Sequence, residues 1–141
     1  MFLGAGVGGA VLLTGRLDRE LARRLAAEAV GTAFLVAIVV GSGIAAQRLS
    51  PGQTGLQLFI NAAITGAGLV ALILALGPIS GGHFNPVVTL ADRILGGIST
   101  RSALAYATVQ VIGACVGAIV ANLMFDLPAV TLSTHSRGSS G

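Results

Sequence analysis

From Leu56 to Gly77 the chain carries no charged residue, and from Ser102 to Phe125 it again carries none. A helix needs about 20 residues to cross a hydrocarbon core about 30 Å thick. Both runs meet that length, and so does Leu25 to Ala46, whose single charge is Glu28. A soluble domain has no place for three such segments. Overall, 54% of residues are hydrophobic and 9% charged, where an ordinary globular domain has about 25% charged. The expected fold class is therefore an all-α membrane protein with transmembrane helices over 25–46, 56–77 and 102–125.

All eight basic residues are arginine, and the net charge is +3. A nucleic-acid surface would gather them in one patch. Instead Arg16, Arg19, Arg23 and Arg24 precede the first crossing, and Arg93 and Arg101 lie between the second and third, which places both groups on one side of the bilayer. Arg48 and Arg137 fall on the other side. The positive-inside bias then predicts a cytoplasmic N-terminus in a cell inner or plasma membrane, with the tail from Asp126 external. No nucleic-acid partner is expected; the lipid bilayer is.

The expected organisation is a cytoplasmic segment over 1–24, a membrane unit over 25–125 and an external loop or linker over 126–141. Met1 to Leu13 is apolar but shorter than a crossing and has no basic residue ahead of it, so it is a poor signal peptide and reads as a cytoplasmic extension or an interfacial segment. Asp18 to Ala27 mixes arginine and acid at helical spacing, so the first helix is expected to begin outside the lipid. Ser50, Pro51 and Gly52 mark a short external turn. After the second crossing, Gly77-Pro78 and Gly81-Gly82 are expected to break the helix. Phe84 to Ala91 then forms an apolar patch too short to span, which predicts a re-entrant loop and half-helix over 78–95 that leaves by the side it entered.

Small residues recur within the crossings: Gly113 and Gly117 in the third, Ala62, Gly66 and Gly68 in the second, Gly31 and Gly41 in the first. Lipid gives helices no hydrophobic reason to meet, so such residues imply close backbone packing. Cys115 is the only cysteine, which excludes an internal disulfide and any cysteine metal cluster.

The half-helix carries the chemistry. Asn85 suits an N-cap, and Pro86 suits the first helical position because its missing amide hydrogen would be unpaired there anyway. A helix start carries about half a positive charge. Aimed into a passage, that field repels cations and protons and lets neutral molecules through. The Asn85 amide can donate to a passing oxygen, and the loop carbonyls before it can accept. Irregular backbone at membrane depth must line something wet or be covered by protein.

Gly81-Gly82-His83-Phe84-Asn85-Pro86-Val87-Val88-Thr89-Leu90 resembles the first signature loop of the major intrinsic protein family, the aquaporins and aquaglyceroporins. Glu28 with Gly31-Thr32, Arg101 with Tyr106, and Gln110 with Gly113-Ala114 are similar to further family positions, so the resemblance covers about residues 27–122. It implies a fold of two inverted three-crossing units whose half-helices meet at mid-pore. This chain holds one inverted-repeat unit, and none of its arginines takes the place of the one that forms much of the family's constriction. A second half or another copy is the implied partner, within a homo-oligomer that in the family is a tetramer. The resemblance also implies that Glu28, and with it Gln110, steadies the pore loop. The usual Asn-Pro-Ala is here Asn-Pro-Val, and the bulk of Val87 bears on how two half-helix tips pack.

A carboxylate near the centre of a crossing costs about 2.5 to 3.5 kcal/mol, so Glu28 is expected to face a partner rather than lipid. His83 reads as a loop-bracing histidine or a proton-linked gate. Counting back from Asn85, Thr65 resembles the family's second-helix constriction residue. Its small size implies an opening for glycerol or metalloid hydroxides such as arsenite as well as water. A secondary transporter half is a rival reading, since broken helices also bind substrates at the midplane, but Glu28 has no second acid beside it. A third is a non-conducting fragment that requires a second unit. No cofactor, metal site or catalytic set is expected, and Ser133, Thr134 and His135 read as solvated tail residues.

Overall fold

The computed structural model describes residues 5–130, with side chains from Leu17 onward. Four helices follow one another: α1 (Ala5–Leu49), α2 (Thr54–Ser80), α3 (Pro86–Ile94) and α4 (Thr100–Met124), with no strand among the described residues. Three of them, α2, α4 and the Leu17–Leu49 part of α1, are long and apolar enough to cross a membrane. The chain is thus an all-α, multi-pass membrane protein. Residues 131–141, including Ser133, Thr134 and His135, lie outside the described range.

Helix α1 is the spine, with α2 packed along one side and α4 along the other, while α3 packs on α4. Its 45 residues would extend about 68 Å at 1.5 Å per residue. It therefore starts well before the apolar run at Leu25, taking Asp18–Ala27 and the stretch from Ala5 into one continuous helix. The α1–α4 seam depends on glycine. A Cβ on Gly113 would stand 2.4 Å from the Ala29 carbonyl oxygen, and one on Gly117 would stand 2.1 Å from that of Ala33. Backbone touches backbone there, as the four-residue spacing requires. In the second crossing the reading divides: Gly68 accommodates Ile38, whereas a Cβ on Gly66 would meet nothing within 4 Å. The α1–α2 seam also has a polar tie, since Asn61 donates to the Val39 carbonyl at 2.8 Å and to Ser42 Oγ at 2.9 Å.

One expected break moves. The second helix runs through Pro78 and stops at Ser80, with Gly81 as its cap at φ 96°. Pro78 cannot donate to the Leu74 carbonyl, but only two helical residues follow it, and Gly77 before it has no Cβ to clash with the proline ring. The left-handed pair Gly81 and Gly82 (φ 69°) turns the chain instead, a conformation costly for other residues.

Candidate functional site

The turn after α2 carries Ser80 to Asn85 back into the bundle, where Phe84 anchors it. The Phe84 ring is 2% exposed and rests on Gly31, whose Cβ, if present, would lie 2.1 Å from the ring. Phe84 itself has φ 48°, the left-handed region that a bulky residue occupies only when its surroundings hold it there.

Glu28 supplies much of that hold. It is fully buried, and its Oε1 accepts from Ser80 Oγ at 2.6 Å and from the His83 amide at 3.0 Å. Its Oε2 accepts from the Phe84 amide at 2.7 Å and from Gln110 Nε2 at 2.8 Å. One carboxylate thus satisfies two backbone amides of an irregular loop and ties α1 to α4. This resolves how a charge is placed in a crossing: it faces four donors and no lipid.

A second tier extends from Gln110. Its Nε2 also reaches Thr89 Oγ1 at 2.9 Å, and Thr89 Oγ1 lies 3.1 Å from His83 Nδ1. Tyr106, fully buried, donates to the Ser80 carbonyl at 2.9 Å. Its ring meets His83 edge-on with centroids 5.5 Å apart, and the Arg24 guanidinium lies 6.0 Å from its centre. Arg101, paired with Tyr106 in the sequence reading, is exposed. His83 Nε2 is 3.5 Å from Asp92 Oδ2. The histidine bridges loop and half-helix. Ser80, Thr89 and Asp92 were not singled out from the sequence. Thr89 is buried one turn beyond the exposed Asn85 cap, and no local pattern announces its place or long-range partners for Ser80 or Asp92.

Helix α3 begins as the residues dictate. Asn85 is its N-cap, accepting from the Val87 amide at 2.8 Å, and Pro86 occupies the first turn. Thr89 meets Gln110, and Arg93 Nε donates to Thr100 Oγ1 at 2.8 Å, so α3 runs antiparallel to α4. Gln110 lies about 15 Å along α4 from Thr100, half the thickness of a hydrocarbon core. The start of α3 therefore lies well inside the length of α4, and its end returns to the level where α4 starts. At its tip, Asn85, Pro86 and Val87 are exposed, Val87 by 71%. Asn85 Nδ2 has no partner among the described residues.

Of the residues singled out beforehand, Glu28, Gln110, Gly82, His83 and the start of α3 come together around one loop, with Gly81 exposed beside them. Thr65 stands apart, about 22 Å along α2 from Ser80. Its hydroxyl is buried without a hydrogen-bond partner, as is that of Thr32. No group of three or more metal-ligating side chains occurs among the described residues.

Comparison with known proteins gives this arrangement a context. The family model described as major intrinsic protein matches residues 17–139. The chain is 48% identical over 118 residues to the aquaglyceroporin AqpS of Rhizobium meliloti (strain 1021), covering 84% of this chain and 50% of that protein. It is 32% identical over 118 residues to the probable aquaporin NIP7-1 of Arabidopsis thaliana, covering 84% and 42%. To Aquaporin-10 of Milnesium tardigradum it is 40% identical over 115 residues, covering 79% and 27%. The chain spans half or less of the length of these relatives. With its capped half-helix, its buried glutamate bracket and a family match over most of its length, the chain belongs to the major intrinsic protein family and has the architecture of one half of the aquaporin fold.

Proposed function

We propose that this chain supplies one half of a passive channel for water and small uncharged solutes. The observation that carries the reading is the start of α3, capped by Asn85 well inside the length of α4, with the Asn85 Nδ2 donor unpartnered among the described residues. The amide-rich tip repels cations by its partial positive charge, and a free side-chain donor beside it offers a hydrogen bond to a solute oxygen. The exposed tip at Val87 is where a second half, or another copy of the chain, completes the passage. In this reading the assembled channel is a homo-oligomer in the plasma or inner membrane, tetrameric like the family, with the arginine-rich N-terminal end in the cytoplasm.

The resemblance to an aquaglyceroporin and the small Thr65 favour glycerol and similar neutral hydroxides, including arsenite, beside water. Because the Thr65 hydroxyl is buried, its contribution is the width it leaves. A coupled transporter fits less well: Glu28, the acid within a crossing, is committed to four donors and has no lone pair positioned to load an ion.

The test is stopped-flow swelling of proteoliposomes containing the chain together with a second half-unit from a full-length relative. The expected result is water and glycerol permeability above empty liposomes, with no proton or sodium dependence. Ion-coupled uptake, or no permeability in the reconstituted pair, overturns it.

A further inference from the structure

On the side of α1 turned away from Glu28, an apolar groove of about 640 Å³ runs between α2 and α4. Its floor is a run of small α1 residues, Ala33, Ala37, Gly41 and Ala45, and Phe34 and Ile38 stand in its wall. Phe125 closes the end nearest Leu49. Its ring packs against Gly41, where a Cβ would lie 3.4 Å away, and above it lies Arg48. The Arg48 guanidinium is 5.2 Å from the ring centre and Nη2 donates to the Phe125 carbonyl at 2.5 Å.

We propose that this groove holds an acyl chain of an anionic phospholipid whose phosphodiester sits on Arg48. Two independent features support it. The groove is apolar over its length, and a cation without a carboxylate partner among the described residues stands at its mouth. A guanidinium has five N–H donors in a planar fork that suits phosphate oxygens, and the Phe125 carbonyl engages Nη2 alone. A bilayer lipid has the same order of parts, a charged head at the interface and an apolar tail below it.

Charge also argues against a second copy of the chain as the occupant. The acids are Asp18, Glu20, Glu28, Asp92 and Asp126. The first four belong to the opposite end of the bundle or to the buried bracket, and Asp126 is on the same segment as Phe125. In a copy of the same orientation laid in the groove, only Asp126 would come to the level of Arg48, and none of its spans would bring an acid there.

The test uses the full chain in detergent doped with equal phosphatidylglycerol and phosphatidylcholine, with lipid retained on the protein counted by native mass spectrometry. One interfacial arginine should favour the anionic lipid about fivefold. Arg48→Gln should bring that ratio to near one, as should high salt, which screens an exposed headgroup contact. Ala37→Leu, which fills the floor and leaves Arg48 in place, should lower retention of both lipids. Equal retention by the unaltered chain overturns the proposal, as does a ratio that Arg48→Gln leaves unchanged. So does a loss of dimer mass in Ala37→Leu with lipid retention intact, which assigns the groove to a second copy. Should Arg48→Gln fail to fold, the salt series on the unaltered chain decides alone.

Discussion

Gln110 of α4 donates to Glu28 of α1 across 2.8 Å and 82 residues of sequence, and with the same nitrogen reaches Thr89 of the half-helix. One side-chain amide thereby joins two crossings to α3. The loop between Ser80 and Asn85 keeps its shape because this bracket pairs backbone groups that lipid could not.

Removing the acid should be severe. Glu28→Ala strips acceptors from the Ser80 hydroxyl, two backbone amides and Gln110 at once. An unsatisfied buried polar group costs about 1 to 3 kcal/mol, so a loss of at least about 3 kcal/mol is expected in unfolding titrations from mixed micelles. Glu28→Gln should fall between, since its new N–H₂ would face donors. A loss below about 1 kcal/mol for the alanine variant would contradict the bracket.

Gly117→Ala and Gly66→Ala should differ in sign. The first drives a methyl group into the Ala33 carbonyl, and the second enters open space. Overpacking of this kind costs about 1 to 3 kcal/mol or more, whereas alanine for glycine in an unhindered helix stabilises by about 0.5 to 1 kcal/mol. Midpoints of thermal unfolding in detergent for the two variants, measured side by side, check this.

Asn85→Ala removes the cap of α3 and the free amide with it. Loss of an N-cap costs about 1 kcal/mol, a modest change in overall stability. The larger expected effect is on permeability of the reconstituted pair, which should fall severalfold while the protein remains folded. Asn85→Asp keeps an oxygen for the Val87 amide and should retain the cap, yet place a negative charge at the tip. Unchanged rejection of cations by that variant would contradict the field argument.

Thr65→Phe tests the proposed width. A bulky ring in place of threonine should abolish glycerol uptake and preserve water permeability in the reconstituted channel. Equal loss of both, or of neither, would remove Thr65 from the constriction.

Much of this architecture is written locally. The charge-free runs fix the crossings because bilayer thickness sets their length, and Asn85-Pro86 fixes a helix start because capping involves neighbours only. Gly113 and Gly117 announce a close approach through their spacing, although the residues they approach, Ala29 and Ala33, carry no mark of it. Pro78 misleads because the helix runs through it and stops two residues later, at the left-handed Gly81. The parts that were illegible are the long-range ones. Ser80 and Asp92 become interesting only when the chain brings them to Glu28 and His83, and the burial of the Thr65 hydroxyl depends on how α2 rotates against α1.

The order in which Glu28 meets its donors has a consequence for biogenesis. The acid precedes all four of its donors in the chain, since Ser80, His83, Phe84 and Gln110 emerge later. Until α4 has been synthesised the bracket cannot close, and Glu28 lacks donors that lipid does not supply. A chain cut before Gln110 would leave Glu28 without its α4 partner, so the burial of this acid is settled only when α1, the loop and α4 are all present.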